Sequence, residues 1–126
     1  MSKFSFVLLY VENPPASAAF YAALLDKSVV ESSPTFAMLP LSDEVMLGLW
    51  SRRAVEPVAT APGGGEVCFS AGDAAEVERT HDAWKERGLP IAQRPTAMDF
   101  GHTFVALDPD GHRLRVFAPV QAGVAP

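Results

Sequence analysis

The chain has little of what several protein classes require. Its 126 residues include one cysteine, Cys68, so an internal disulfide is impossible. No apolar run approaches the roughly 20 residues that span a bilayer as a helix, and no membrane partner is expected. Positive charge is scarce: 10 Lys and Arg against 15 Asp and Glu give a net charge of −5 and a pI of about 5.0. General binding along a phosphate backbone needs a basic surface, so no nucleic-acid partner is expected. The first residues, Met1-Ser2-Lys3-Phe4, carry neither the apolar core nor the small-residue cleavage site of a signal peptide, and a cytoplasmic location is the default expectation. Cys68 lies within a strand-like run with no evident activating partner, which fits a small packed hydrophobe better than a nucleophile.

What is present is a repeated order of elements. Phe4–Val11 is a strand-like apolar run, and Asn13-Pro14-Pro15 suits a helix entry. Ala19, Phe20, Ala23 and Leu24 fall at helical spacing within Ala16–Asp26. Val29–Val30, Thr35–Leu39 and Glu44–Trp50 follow as strands. The order recurs about 60 residues later. Glu66–Ser70 is a strand, and Asp73 caps a helix that runs to about Arg87 with Gly88 as its stop. The later strands are Ile91–Gln93, Ala97–Phe100, His102–Leu107 and Arg113–Ala118. Asp108-Pro109-Asp110-Gly111 joins the last two, with proline presetting a turn and glycine supplying positive φ.

The expected class is therefore α+β: a single domain over residues 1–126, built from two βαβββ modules. The first module covers about 1–57 and the second about 66–119. Residues 58–65, rich in Ala, Pro and Gly, read as a linker, and the tail from Val120 is expected to fray. One βαβββ unit cannot bury its open sheet face alone. Pairing two would give a curved mixed sheet with helices outside and a concave pocket inside.

The marks Val11-Glu12-Asn13 with Phe20-Tyr21, then Asp108-Pro109-Asp110-Gly111 with the alternating last strand, resemble the vicinal oxygen chelate superfamily of glyoxalases, extradiol dioxygenases and bleomycin- and fosfomycin-resistance proteins. Further stretches are similar to its phenazine-antibiotic resistance branch: Leu9-Tyr10-Val11, Leu49-Trp50-Ser51 with Glu56-Pro57-Val58, Trp84, Asp99-Phe100-Gly101 with Thr103-Phe104, and Asp108–His112 with Arg115-Val116. That resemblance implies a homodimer that binds planar tricyclic drugs in an aromatic pocket, without a catalytic metal.

Metal-dependent members of the superfamily place His or Glu ligands on four strands. Carried over by strand register, those positions fall on Phe6, on or near Gly48, on Glu66 and on Arg115. Only Glu66 has a suitable donor, and guanidinium repels a cation. His81, His102 and His112 fall elsewhere. No metal, other cofactor or catalytic residue set is expected.

The same strand faces offer a pocket wall. Phe6, Leu8 and Tyr10 share one face, as do Met46, Gly48 and Trp50, then Glu66, Cys68 and Ser70, then Arg113, Arg115 and Phe117. The expected ligand contacts are Trp50, Phe6, Tyr10, Phe36, Met46, Gly48, Glu66, Phe100, Phe104, Arg115 and Phe117. Strand register leaves the faces of Phe36, Phe100 and Phe104 open. Trp50 offers a stacking face and Gly48 leaves room beside it. Arg115 either meets a ligand carboxylate or pairs with Glu66. The leading expectation is metal-independent sequestration of a phenazine-like antibiotic or related metabolite. The alternatives are a lyase- or dioxygenase-type enzyme of the same superfamily, a metal-free one using Glu66 as base or Tyr10 as acid, or an interaction module with no small ligand, which an apolar residue filling the space above Gly48 would support.

Overall fold

A computed structural model describes residues 3–60 and 65–120; part of the linker and the tail beyond Val120 lie outside the described residues. The chain divides into two compact units, Met1–Pro62 and Gly63–Pro126. Each has the order βαβββ.

In the first unit, β1 (Phe6–Val11) leads to α1 (Pro14–Leu25), then β2 (Glu31–Ser32), β3 (Phe36–Pro40) and β4 (Met46–Ser51). The sheet order is β1-β4-β3-β2, with β1 parallel to β4 and the other pairs antiparallel. Asn13 caps α1 by accepting the backbone N–H of Ala16, and the two prolines occupy the first helical positions, where a missing N–H costs nothing. Asp26 ends the helix in the left-handed conformation. Tyr21, Ala37, Leu39, Leu47, Leu49 and Val11 are fully buried and form the core against α1.

The second unit repeats the plan with β5 (Glu66–Ser70), α2 (Ala74–Glu86), β6 (Ile91–Met98), β7 (Gly101–Leu107) and β8 (Arg113–Pro119). Its order is β5-β8-β7-β6. Asp73 caps α2 through the Glu76 N–H, while the Glu76 carboxylate accepts the backbone N–H of Gly72. Val77, Trp84, Phe104, Ala106, Leu114 and Val116 are buried.

Two element expectations change. The short strand expected at 29–30 lies at Glu31–Ser32, where two residues pair with Met38 and Ala37. The runs expected as separate strands at 91–93 and 97–100 are one strand, β6, with register shifts on either side of Gln93. Pro95 sits inside it. The strand tolerates a residue without an N–H because β6 is the sheet edge. Phe100 falls outside the strand, on the turn to β7. That turn requires Gly101, at φ +145°: a Cβ there would stand 1.9 Å from the Ala118 carbonyl oxygen. Among the described residues no helix is long and apolar enough to cross a membrane.

Candidate functional site

Alternation along β1 sets up the site. Val7, Leu9 and Val11 turn toward the helix side. Phe6, Leu8 and Tyr10 take the other face, and each remains 43% exposed. Register carries this face across the sheet. Phe6 stands opposite Met46, Leu8 opposite Gly48 and Tyr10 opposite Trp50. Trp50 is in turn opposite Phe36, and Gly48 opposite Met38. Met38 stands opposite Glu31. One open sheet face thus carries apolar and aromatic side chains with a carboxylate at its far edge.

A pocket of about 600 Å³ opens on this face, lined by Phe6, Leu8, Glu31, Ser33, Thr35, Phe36 and Trp50. Pockets for drug-sized ligands run from about 300 to 1,000 Å³. Phe6, Phe36 and Trp50 were expected contacts, and the structure brings all three together. The Ser33 hydroxyl donates to the Phe36 carbonyl and accepts the Phe36 N–H, and so fixes the turn that presents the Phe36 ring. Glu31, Ser33 and Thr35 were missed. The signal available was the Glu-Ser-Ser-Pro-Thr run before β3, which reads as a turn.

Tyr10, Met46 and Gly48 share the face but are outside the lining. The expected space above Gly48 is already taken: a Cβ there would lie 2.5 Å from Leu8 Cδ2 and 3.2 Å from the Phe36 ring. Glycine at 48 lets those two side chains close over the strand. Because both neighbours are ends of movable side chains, Gly48→Ala is expected to cost only about 1 kcal/mol in urea denaturation.

The other expected contacts belong to the second unit. Arg115 grips Glu66 in a fork, Nε to Oε1 at 2.8 Å and Nη2 to Oε2 at 3.1 Å. Its Nη1 donates to Gln93 Oε1 at 3.1 Å and to Thr103 Oγ1 at 3.2 Å. The Thr103 hydroxyl in turn donates a hydrogen bond to the Val116 carbonyl. The guanidinium also lies 5.7 Å from the centroid of Phe100, whose ring meets Phe117 edge-on at 6.2 Å. Of the two open roles for Arg115, the internal pair is the one formed.

Phe104, an expected contact, is not part of the pocket. It is fully buried on the opposite face of β7, edge-on to His81 at 5.4 Å and to Trp84 at 5.5 Å. Thr103, its neighbour, is the residue on the Arg115 face, as its pairing with Phe117 requires.

Hydrogen bonds from Arg115 hold the Glu66 carboxyl below its ordinary value despite opposing burial, and the charges of Arg115 and Arg113 act the same way. A depressed carboxylate is a weak base, which counts against the expected metal-free role for Glu66. Cys68 is exposed rather than packed as expected; partial desolvation, and then the Glu66 charge, push its thiol up, so the thiolate is disfavoured. Because the Glu66 pKa is lower folded than unfolded, its stabilisation is present above its ordinary value of 4.5 and is lost as pH falls through the folded value. Wild type is therefore expected to lose about 0.5–1 kcal/mol more than Glu66→Gln on acidification across that window, since solvent screens the pair. Urea midpoints as a function of pH check this.

The superfamily's metal positions do not fit a divalent ion in this chain. Phe6 has no donor atom. Gly48 has no side chain, and its open face is covered. The single carboxylate, Glu66, is held by Arg115. Among the described residues no group of three or more His, Cys, Asp and Glu could hold a metal.

Two mixed four-stranded sheets, each built on a βαβββ order, define the fold class. Residues 3–116 match the Glyoxalase/Bleomycin resistance protein/Dioxygenase superfamily, and the chain belongs to it. It is 31% identical over 112 residues, 86% of each chain, to the phenazine antibiotic resistance protein EhpR of Enterobacter agglomerans. The solution structure of protein ATC0852 from Agrobacterium tumefaciens matches with a TM-score of 0.86 at 50% identity, over 96% of this chain and 100% of that one. A glyoxalase/bleomycin resistance protein/dioxygenase family enzyme from Burkholderia phytofirmans shares the fold with a TM-score of 0.79 at 19% identity, over 94% of this chain and 100% of that one.

Proposed function

We propose that the chain binds and sequesters a planar aromatic antibiotic or related metabolite of phenazine type, without a metal ion, and so confers resistance. The observation that carries this is the wall of Phe6, Phe36 and Trp50 around a pocket of about 600 Å³. The likeness to a phenazine antibiotic resistance protein supports the ligand class. Flat rings bury large apolar area against such walls and gain from offset or edge-on stacking. The donor-poor metal positions and the locked Glu66 support binding without chemistry. Sequestration makes protection stoichiometric with protein rather than catalytic.

The test is a tryptophan-fluorescence titration of the metal-stripped protein with phenazine, corrected for ligand absorbance, with Trp50→Ala as control. Saturable quenching that disappears in Trp50→Ala is the expected result. Conversion of ligand in excess of protein would replace sequestration by the enzyme alternative.

We also propose a homodimer as the working form. Phe6, Leu8 and Tyr10 leave apolar surface exposed around the pocket, which a second copy can cover while completing the pocket wall. Sedimentation at the single-chain mass of 13.5 kDa, at micromolar protein, would remove this proposal.

A further inference from the structure

We propose that the first-unit pocket selects planar heteroaromatics carrying a positive charge, with Glu31 as the charge-selecting residue. The inference rests on the aromatic-binding reading above and narrows its ligand class.

Glu31 belongs to β2, and the pairings Glu31–Met38, Met38–Gly48 and Gly48–Leu8 put it on the same sheet face as the aromatic wall. It is part of the pocket lining. Its carboxylate has no hydrogen bond or ion pair among the described residues and is exposed, so its charge faces the pocket and solvent. The remaining polar lining is Ser33 and Thr35. The Ser33 hydroxyl already serves Phe36 with both its proton and a lone pair. The lining contains no Lys, Arg or His.

The one charged side chain in this lining is therefore negative. A carboxylate attracts a cation directly. The faces of Trp50, Phe36 and Phe6 carry the negative end of the ring quadrupole, which attracts a cation placed over them. A ligand carboxylate would meet repulsion from Glu31 and no cationic partner in the lining. Arg115, the expected partner for a ligand carboxylate, instead spends its fork on Glu66 and its remaining Nη1 donors on Gln93 and Thr103. The net charge of −5 adds long-range attraction of the same sign.

Three probes of one outline separate charge from shape: N-methylacridinium, acridine at mildly alkaline pH where it is neutral, and acridine-9-carboxylate. Equilibrium dialysis at low salt measures each against wild type, Glu31→Gln, Trp50→Ala and Asp26→Asn. Asp26 caps α1 in the left-handed conformation, which asparagine also adopts, and its replacement changes net charge by the same amount. The expected order in wild type is cation, then neutral, then anion, with the cation favoured over the neutral ring about tenfold. That ratio should fall toward one in Glu31→Gln and persist in Asp26→Asn. Tighter binding of acridine-9-carboxylate than of acridine, or a ratio unchanged in Glu31→Gln, would overturn the charge selection while leaving the aromatic pocket standing. Failure of all three probes to bind wild type would overturn the pocket reading with it.

Discussion

Phe104→Ala is expected to destabilise the protein by about 3–5 kcal/mol, read as a lower urea midpoint with little change in the denaturant slope. Phe104 is fully buried, and its ring closes a stack with His81 and Trp84. Trp84 in turn meets Phe69 edge-on at 6.0 Å. The cluster of Phe104, Trp84 and Phe69 thus connects three elements, β7, α2 and β5. Alanine would leave a cavity between helix and sheet that backbone hydrogen bonding prevents from collapsing. A loss under about 1 kcal/mol would contradict the packing of α2 on this sheet, because surface changes stay near ±0.5 kcal/mol. Ligand affinity measured well below the new midpoint should be unchanged, since Phe104 is not part of the pocket wall.

Sequence patterning treats Phe36 and Phe104 alike, and the structure separates them. Both are aromatic residues of strands, and a shift of one residue moves a side chain to the opposite face. For Phe36 the face is fixed by pairing with Trp50; for Phe104 it is fixed by pairing with Val116. Neither register can be read from one strand alone. The helices were more legible because their signals are local. Asn13 with two prolines, Asp73 with Glu76, and Gly88 at φ +91° each act within one turn of chain. The βαβββ repeat was legible for the same reason. Glu31 was not, because β2 is two residues long and shows no alternation, so its membership of the pocket face depends on a partner strand. The Glu66–Arg115 pair lay between these cases. Both residue types were evident. Which of two partners the guanidinium takes depends on Gln93 and Thr103, brought to it from β6 and β7.

Trp50→Ala is expected to weaken binding of a flat aromatic ligand about 30-fold while leaving the fold intact. The indole faces the pocket between Tyr10 on one neighbouring strand and Phe36 on the other. It is only partly buried, so its removal opens surface rather than a sealed cavity, and the stability cost should stay near 1 kcal/mol. The ligand loses more. One indole face against a tricyclic ring contributes area burial at roughly 25 cal/mol per Å², with about 0.5–1.5 kcal/mol of stacking beyond it. A combined loss near 2 kcal/mol corresponds to a factor of about 30 in Kd. Trp50→Phe should recover much of this, because a smaller ring still stacks, whereas Trp50→Leu should recover the apolar area alone. The order Trp, Phe, Leu, Ala measured by equilibrium dialysis would make stacking the source of affinity. Equal affinity for Phe and Leu would reduce the pocket to apolar volume. Wild-type affinity in Trp50→Ala would place the ligand elsewhere on the chain.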